Sequence, residues 1–102
     1  MQTLNYRFPA TQAATHAVHI GVVASGDLEI LLEPTAGETL EADVRVRTSV
    51  DGFDTVWLEV LTRFFTHTPV AGRWELNDSG ATPGVVTLRM RQAAEAVSGH
   101  PA

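Results

Sequence analysis

Few side chains in this sequence are placed to do chemistry together. The four histidines are His16, His19, His67 and His100. His16 and His19 lie three apart in an extended segment, so they face opposite sides and cannot easily share a metal. His67 falls at the expected end of a helix, where it complements the dipole. His100 lies in the tail. There is no HExxH and no carboxylate–histidine cluster, so no metal site is expected. Cysteine is absent, which removes disulfides, thiolate nucleophiles and cysteine metal sites. Asp54 and Asp78 read as solvated or capping carboxylates. Gly26 and Gly84 are isolated, unlike the glycines of a phosphate-cradling loop. Arg89 and Arg91 should project from different faces of a helix, either into solvent or toward a phosphate or a partner. One hydroxyl then stands out, that of Ser25.

Ser25 lies in a polar break, Ser25-Gly26-Asp27, between two apolar β-branched runs. The left run is Val18 to Ala24 and the right run is Leu28 to Leu32. Such runs bounded by turn residues predict a β-hairpin, with the serine at its tip. A two-residue loop would leave both faces mixed. A three-residue loop, Ser25 to Asp27, pairs Val22 with Ile30 and Ile20 with Leu32 on one apolar face. His19 then falls opposite Glu33, and Val23 opposite Glu29. Register follows the hydrophobic set, so the odd loop is preferred. Gly26 and Asp27 both tolerate positive φ. A serine hydrolase would need a base beside Ser25 and an oxyanion hole. Gly-x-Ser-x-Gly is missing, Ser25 is not on a strand-to-helix elbow, and His19 is too far along the strand. No catalytic residue is assigned.

The elements that must hold this tip can be read along the chain. Leu4, Tyr6 and Phe8 alternate in a first strand over 2–8, ended by Pro9. Residues 10–15 read as a connector. After the hairpin, Pro34 to Glu38 reads as a turn. Leu40, Ala42, Val44 and Val46 then alternate with charged residues, the clearest half-buried strand. Asp51 is the preferred N-cap, with Ser49 second, for a helix over about 52–66. Its apolar stripe is Phe53, Val56, Trp57, Val60, Leu61, Phe64 and Phe65. Trp57 and the phenylalanines are expected in the core. Residues 73–77 form a short strand with Trp74 and Leu76 inward. The last segment alternates like a strand at Val86, Leu88 and Met90. However, Thr82-Pro83 is a helix start, and Val86, Met90, Ala93, Ala94 and Val97 share a helical face. We expect a helix over about 83–97, then a frayed end. The fold class is α+β, an antiparallel-rich sheet with two helices packed on one face.

Composition sets the outer limits. The 102 residues suit one domain, 1–102, able to bury a modest core. A hydrophobic share of 44% and a mean hydropathy of +0.02 argue against disorder. The net charge is −5, with no lysine and no cluster among the seven arginines, which argues against a nucleic-acid partner. No apolar stretch is long enough to cross a bilayer, and no signal-type h-region is visible, so no membrane partner and a cytoplasmic location are expected.

Three stretches carry a family resemblance. Ala24-Ser25-Gly26-Asp27-Leu28-Glu29-Ile30-Leu31-Leu32-Glu33-Pro34 resembles the prosthetic-group attachment segment of malonate decarboxylase acyl carrier proteins, the delta subunit. Thr48-Ser49-Val50-Asp51-Gly52 and Gly80-Ala81-Thr82-Pro83-Gly84-Val85-Val86 are similar to later stretches of that family, in the same order. The citrate lyase acyl carrier, the gamma chain, is a more distant relative sharing the Ser-Gly-Asp segment. Four-helix acyl carriers place Asp-Ser-Leu at a helix start, and no such motif occurs here.

The resemblance implies a non-catalytic carrier subunit. The serine matching Ser25 would bear 2'-(5''-phosphoribosyl)-3'-dephospho-CoA through a phosphodiester, with Gly26 and Asp27 in the attachment loop. The thiol of this arm would hold an acetyl or malonyl thioester. The implied partners are acyl-transferase and decarboxylase subunits and a prosthetic-group attachment enzyme. The transferase would exchange acetyl for malonyl, releasing acetate, and decarboxylation would regenerate the acetyl thioester. Asp27 would either hold the loop or be read by the attaching enzyme. The alternatives are a citrate lyase-type carrier, or an adaptor subunit in which Ser25 is an ordinary turn residue.

Overall fold

A computed structural model describes residues 1–37 and 40–98. The elements are β1 (Gln2–Pro9), β2 (Gln12–Ala13), β3 (Val18–Gly21), β4 (Leu28–Glu33), β5 (Glu41–Thr48), α1 (Asp54–His67), β6 (Val70–Asp78) and α2 (Pro83–Ser98). The main path of the sheet is β1-β5-β6-β4-β3, and β2 pairs with β6 off this path. Neighbours are antiparallel except β5–β6 and β2–β6, which are parallel. The expected α+β class therefore stands, with a parallel pair at the sheet centre. A parallel pair needs a crossover rather than a tight turn, and α1 supplies it.

Alternation decides which face is dry. Leu28, Ile30 and Leu32 of β4, Val44 and Val46 of β5, and Trp74 and Leu76 of β6 are buried. The residues that alternate with them are polar, except Leu31. On that open face Arg7 Nε lies 2.8 Å from Asp43 Oδ1, directly across β1 and β5. This hydrogen bond, then the charges of Asp43 and Glu41, raise the Arg7 pKa above its already high value. Both helices cover the apolar face. α1 lays Trp57, Leu61, Phe64 and Phe65 on it; α2 adds Val86, Met90, Ala93, Ala94 and Val97. Trp74 sits at the centre, edge-on to Phe64 and Phe65 at 5.7 and 5.3 Å. Its indole N–H donates to the Val70 carbonyl at 3.1 Å, so its one polar group is satisfied. Burying each large side chain here contributes about 1.5–3 kcal/mol.

Several expectations need correction. The connector contains a two-residue strand, β2, because its backbone meets the edge of β6 at Val70 and Ala71. Leu40 lies before β5 and is exposed. The N-cap of α1 is Phe53, with no side-chain cap bond, in place of Asp51. Phe53 and Val56, counted on the apolar stripe, are exposed: they line an open groove beside the start of α2, while the Tyr6 hydroxyl of β1 donates to the Asp54 carbonyl in the first turn at 3.1 Å. The strand expected over 73–77 extends to Val70–Asp78, because it has hydrogen-bonded neighbours on both sides. The helix over 83–97 is present as α2, and the Thr82 hydroxyl caps it, accepting from the Val85 N–H at 3.3 Å. The turn at Pro34 to Glu38 lies partly, and the tail with His100 wholly, outside the described residues.

Candidate functional site

The hairpin forms, but its register is slipped by two residues from the expected one. Ile20 faces Ile30, Val18 faces Leu32 and His19 faces Leu31. The apolar positions still face one another, as the hydrophobic pattern requires. The left strand, however, ends at Gly21, opposite Glu29, instead of running to Ala24. Gly21 has φ 77°, and a Cβ there would stand 2.2 Å from the Leu28 carbonyl oxygen. Only glycine lets the chain leave the strand at this point. Val22 and Val23 consequently belong to the loop, where they are 56% and 62% exposed. An isolated glycine inside a strand pattern was the available signal; the two valines after it disguised it.

Ala24 to Asp27 form a hydrogen-bonded turn. The Asp27 N–H donates to the Ala24 carbonyl at 2.9 Å, and Gly26 has φ 78° while no other residue type in the described chain has positive φ. That combination is a type II turn, with glycine at its third position. Asp27 thus does not use the positive φ it was expected to tolerate. Ser25 occupies the second position and is exposed. Among the described residues none hydrogen-bonds its hydroxyl. Around Gly26 the space a Cβ would occupy has nothing within 4 Å. The hydroxyl is therefore open to an incoming reagent.

The backbone of the turn is tied down. The Gly26 N–H donates to the Ser79 carbonyl at 2.7 Å, and the Ser79 N–H donates to the Asp27 carbonyl at 3.0 Å. Ser79 belongs to the connection from β6 to α2, which Asp78 organises. Asp78 is 7% exposed, and its carboxylate accepts from the Thr48 hydroxyl at 2.8 Å and the backbone N–H groups of Gly80 and Ala81 at 3.2 and 2.9 Å. It is a buried turn anchor, correcting the solvated reading and extending the capping one. Nothing in the sequence places Asp78 opposite Leu28, at the foot of the Ser25 turn, since β4–β6 pairing is a long-range contact.

Asp27 is the side chain that joins the loop to α2. Its Oδ1 accepts from the Leu28 N–H at 2.8 Å and from Arg89 Nε at 3.1 Å; its Oδ2 accepts from Arg89 Nη2 at 2.9 Å. The Arg89 hydrogen bond, then the Leu28 N–H, hold the Asp27 carboxyl below the usual carboxylate range. Arg89 is raised in turn by the same bond and charge. Arg89 is thus engaged within the chain, while Arg91 is exposed on the groove between α1 and α2. The two do leave the helix on different faces.

The histidines are dispersed. His16 precedes β3 rather than lying on a strand, and contacts Thr15 Oγ1 at 2.9 Å. His19 Nε2 lies 2.9 Å from Glu29 Oε2 on the open face. His67 Nδ1 meets the Arg63 carbonyl at 2.9 Å in the last turn of α1. Among the described residues no three metal-ligating side chains come together.

Comparison with known proteins agrees with this geometry. The family model described as malonate decarboxylase delta subunit (MdcD) matches residues 15–97. The malonate decarboxylase acyl carrier protein of Stenotrophomonas maltophilia (strain R551-3) is 48% identical, over 97% of this chain and 96% of its own. That of Azotobacter vinelandii is 46% identical, over 96% of this chain and 98% of its own. A chain in the crystal structure of a Pseudomonas malonate decarboxylase hetero-tetramer in complex with malonate superposes with a TM-score of 0.87 at 43% identity. That match covers 95% of this chain and 99% of the other. With the family model spanning most of the chain and relatives of nearly half identity matching almost its full length, the chain belongs to the malonate decarboxylase delta subunit family.

Proposed function

We propose that this chain is the acyl carrier of a malonate decarboxylase and that Ser25 is the attachment point of 2'-(5''-phosphoribosyl)-3'-dephospho-CoA. The observation that carries the reading is an exposed, unbonded hydroxyl on a turn whose backbone is fixed on both sides. The residues fit such a group. Among the described residues the hydroxyl has no competing partner, and Gly26 leaves open space beside it. The relatives' names support malonate decarboxylase over citrate lyase.

When attached, the group supplies a thiol whose acyl thioester accepts the negative charge left by departing carbon dioxide better than a carboxylate does. The chain's own residues present it. Ser25 Oγ would be the chain's ester oxygen in the phosphodiester. Gly26 keeps its approach free, and Asp27 fixes the base of the turn. Val22 and Val23 offer an apolar flank to whichever enzyme receives the tip. Tethering raises the local concentration of the acyl group at each partner site. The partners would be acyl-transferase and decarboxylase subunits, and an enzyme that attaches the arm to Ser25. The chemistry of the reaction would belong to them, with this chain non-catalytic.

Intact mass after co-expression with the cognate attachment enzyme tests the assignment. The wild-type chain should gain the mass of the arm. Ser25→Ala should gain nothing and melt as wild type does. A wild-type chain that stays at its bare mass, or a Ser25→Ala chain that still gains the arm, overturns the assignment.

A further inference from the structure

Three separate contacts converge on Arg89. Its guanidinium grips both carboxylate oxygens of Asp27, through Nε and Nη2. Its remaining amino group, Nη1, donates to Gln92 Oε1 at 3.2 Å, one turn along α2. Its stem lies over the base of the loop: Cδ is 3.5 Å from where a Gly21 Cβ would be. A fork–fork pair of this kind fixes orientation as well as distance. Both side chains are largely shielded, 28% and 20% exposed, so geometry here is better defined than in a free surface pair. Asp27 in turn holds the Leu28 N–H, where β4 begins. The contacts therefore run from a rigid helix to the first residue of one strand and the last residue of the other.

We propose that Arg89 is a positioning residue for the Ser25 turn, holding Asp27 so that the loop rests in the form that the attaching enzyme recognises. The inference rests on Ser25 being the attachment point. It goes beyond that reading by assigning a task to α2, which touches none of the reacting atoms. Without Arg89 the turn would keep its backbone bonds to Ser79 but lose its side-chain tie to α2, and would leave its resting form more often. An enzyme that binds only one form pays for the others in apparent affinity, by the inverse of the competent fraction. Once bound, the hydroxyl reacts as before. Loss of Arg89 should therefore raise KM for arm transfer and spare kcat.

The variants are Arg89→Met, which keeps the stem and loses the fork, Arg89→Lys, Asp27→Asn, and the double variant Arg89→Met with Asp27→Asn. Two readouts are taken. One is amide hydrogen exchange at Gly26 and Asp27 in the unmodified chain. The other is arm transfer by the cognate attachment enzyme, followed by intact mass. Arg89→Met should speed exchange at both amides while α2 amides keep their protection. It should lower kcat/KM for transfer by about tenfold to a hundredfold, through KM. Arg89→Lys should recover only part of this, because an ammonium lacks the planar fork. The double variant should be little worse than either single one, as for two residues acting as one unit. The proposal is overturned by wild-type exchange in Arg89→Met, or by a loss that falls on kcat. It is also overturned by strictly additive losses, which would mean that the enzyme reads Arg89 and Asp27 separately. If the wild-type chain itself were never loaded, the Ser25 assignment would fail, and exchange alone would still decide whether Arg89 orders the loop.

Discussion

Gly21 and Gly26 have nearly the same backbone angle, φ 77° and 78°, in one loop, and opposite surroundings. At Gly21 the Leu28 carbonyl stands 2.2 Å from the place of a Cβ, and the Arg89 stem closes the other side. At Gly26 that place is open. The first glycine is required by packing and conformation together, the second by conformation alone. The loop is thus locked where it leaves the sheet and clear where it meets a partner. A group that must be handed between enzymes needs both properties, a fixed origin and an unobstructed approach.

The contrast can be broken by adding one methyl at each position. Gly21→Ala should have the largest effect, about 3 kcal/mol of destabilisation from clash and left-handed strain together. In a domain of this size that is a fall of roughly 10–20 °C in melting temperature. Gly26→Ala should cost only the strain, about 1–2 kcal/mol, and should be felt in the turn more than in the core. Thermal melts of the two variants side by side check the order, and equal losses would erase the distinction between base and tip.

A smaller effect sharpens the account of the base. Asp27 is held below its ordinary range by Arg89 and the Leu28 N–H. A carboxyl whose folded pKa is depressed contributes stability that is fully present above its unfolded value, about 3.9. That contribution is lost as pH falls through the folded value. The difference in melting temperature between wild type and Asp27→Asn should therefore be constant near neutrality and shrink in acid, below the usual carboxylate range. A difference unchanged down to the acid limit would show that Asp27 acts as a neutral hydrogen-bond partner.

Much of this arrangement was readable in the residues. Alternation placed β1, β4, β5 and β6 on their proper faces, and the Thr82-Pro83 start with the Val86, Met90, Val97 face located α2. What local patterns could not carry was anything set by distant pairing. Val22 and Val23 read as strand because they are apolar; a carbonyl at Leu28 and a bend at Gly21 decided otherwise. Phe53 read as core because its spacing fits the helix, but it faces an open groove beside the start of α2, a distant part of the chain. Asp78 read as solvated or capping because it sits among turn residues, whereas Thr48, thirty positions upstream, receives it in the interior. Arg89 carried no sign that its partner was Asp27, sixty-two positions away.

The tie between Gly26 and Ser79 has a consequence for biosynthesis. A ribosome releases residues in order, and the shape around Ser25 depends on groups made much later, in the connection after β6 and in α2. A half-made or misfolded chain cannot offer that shape. If the loading enzyme reads it, costly cofactor is spent only on carriers that have already passed their own inspection.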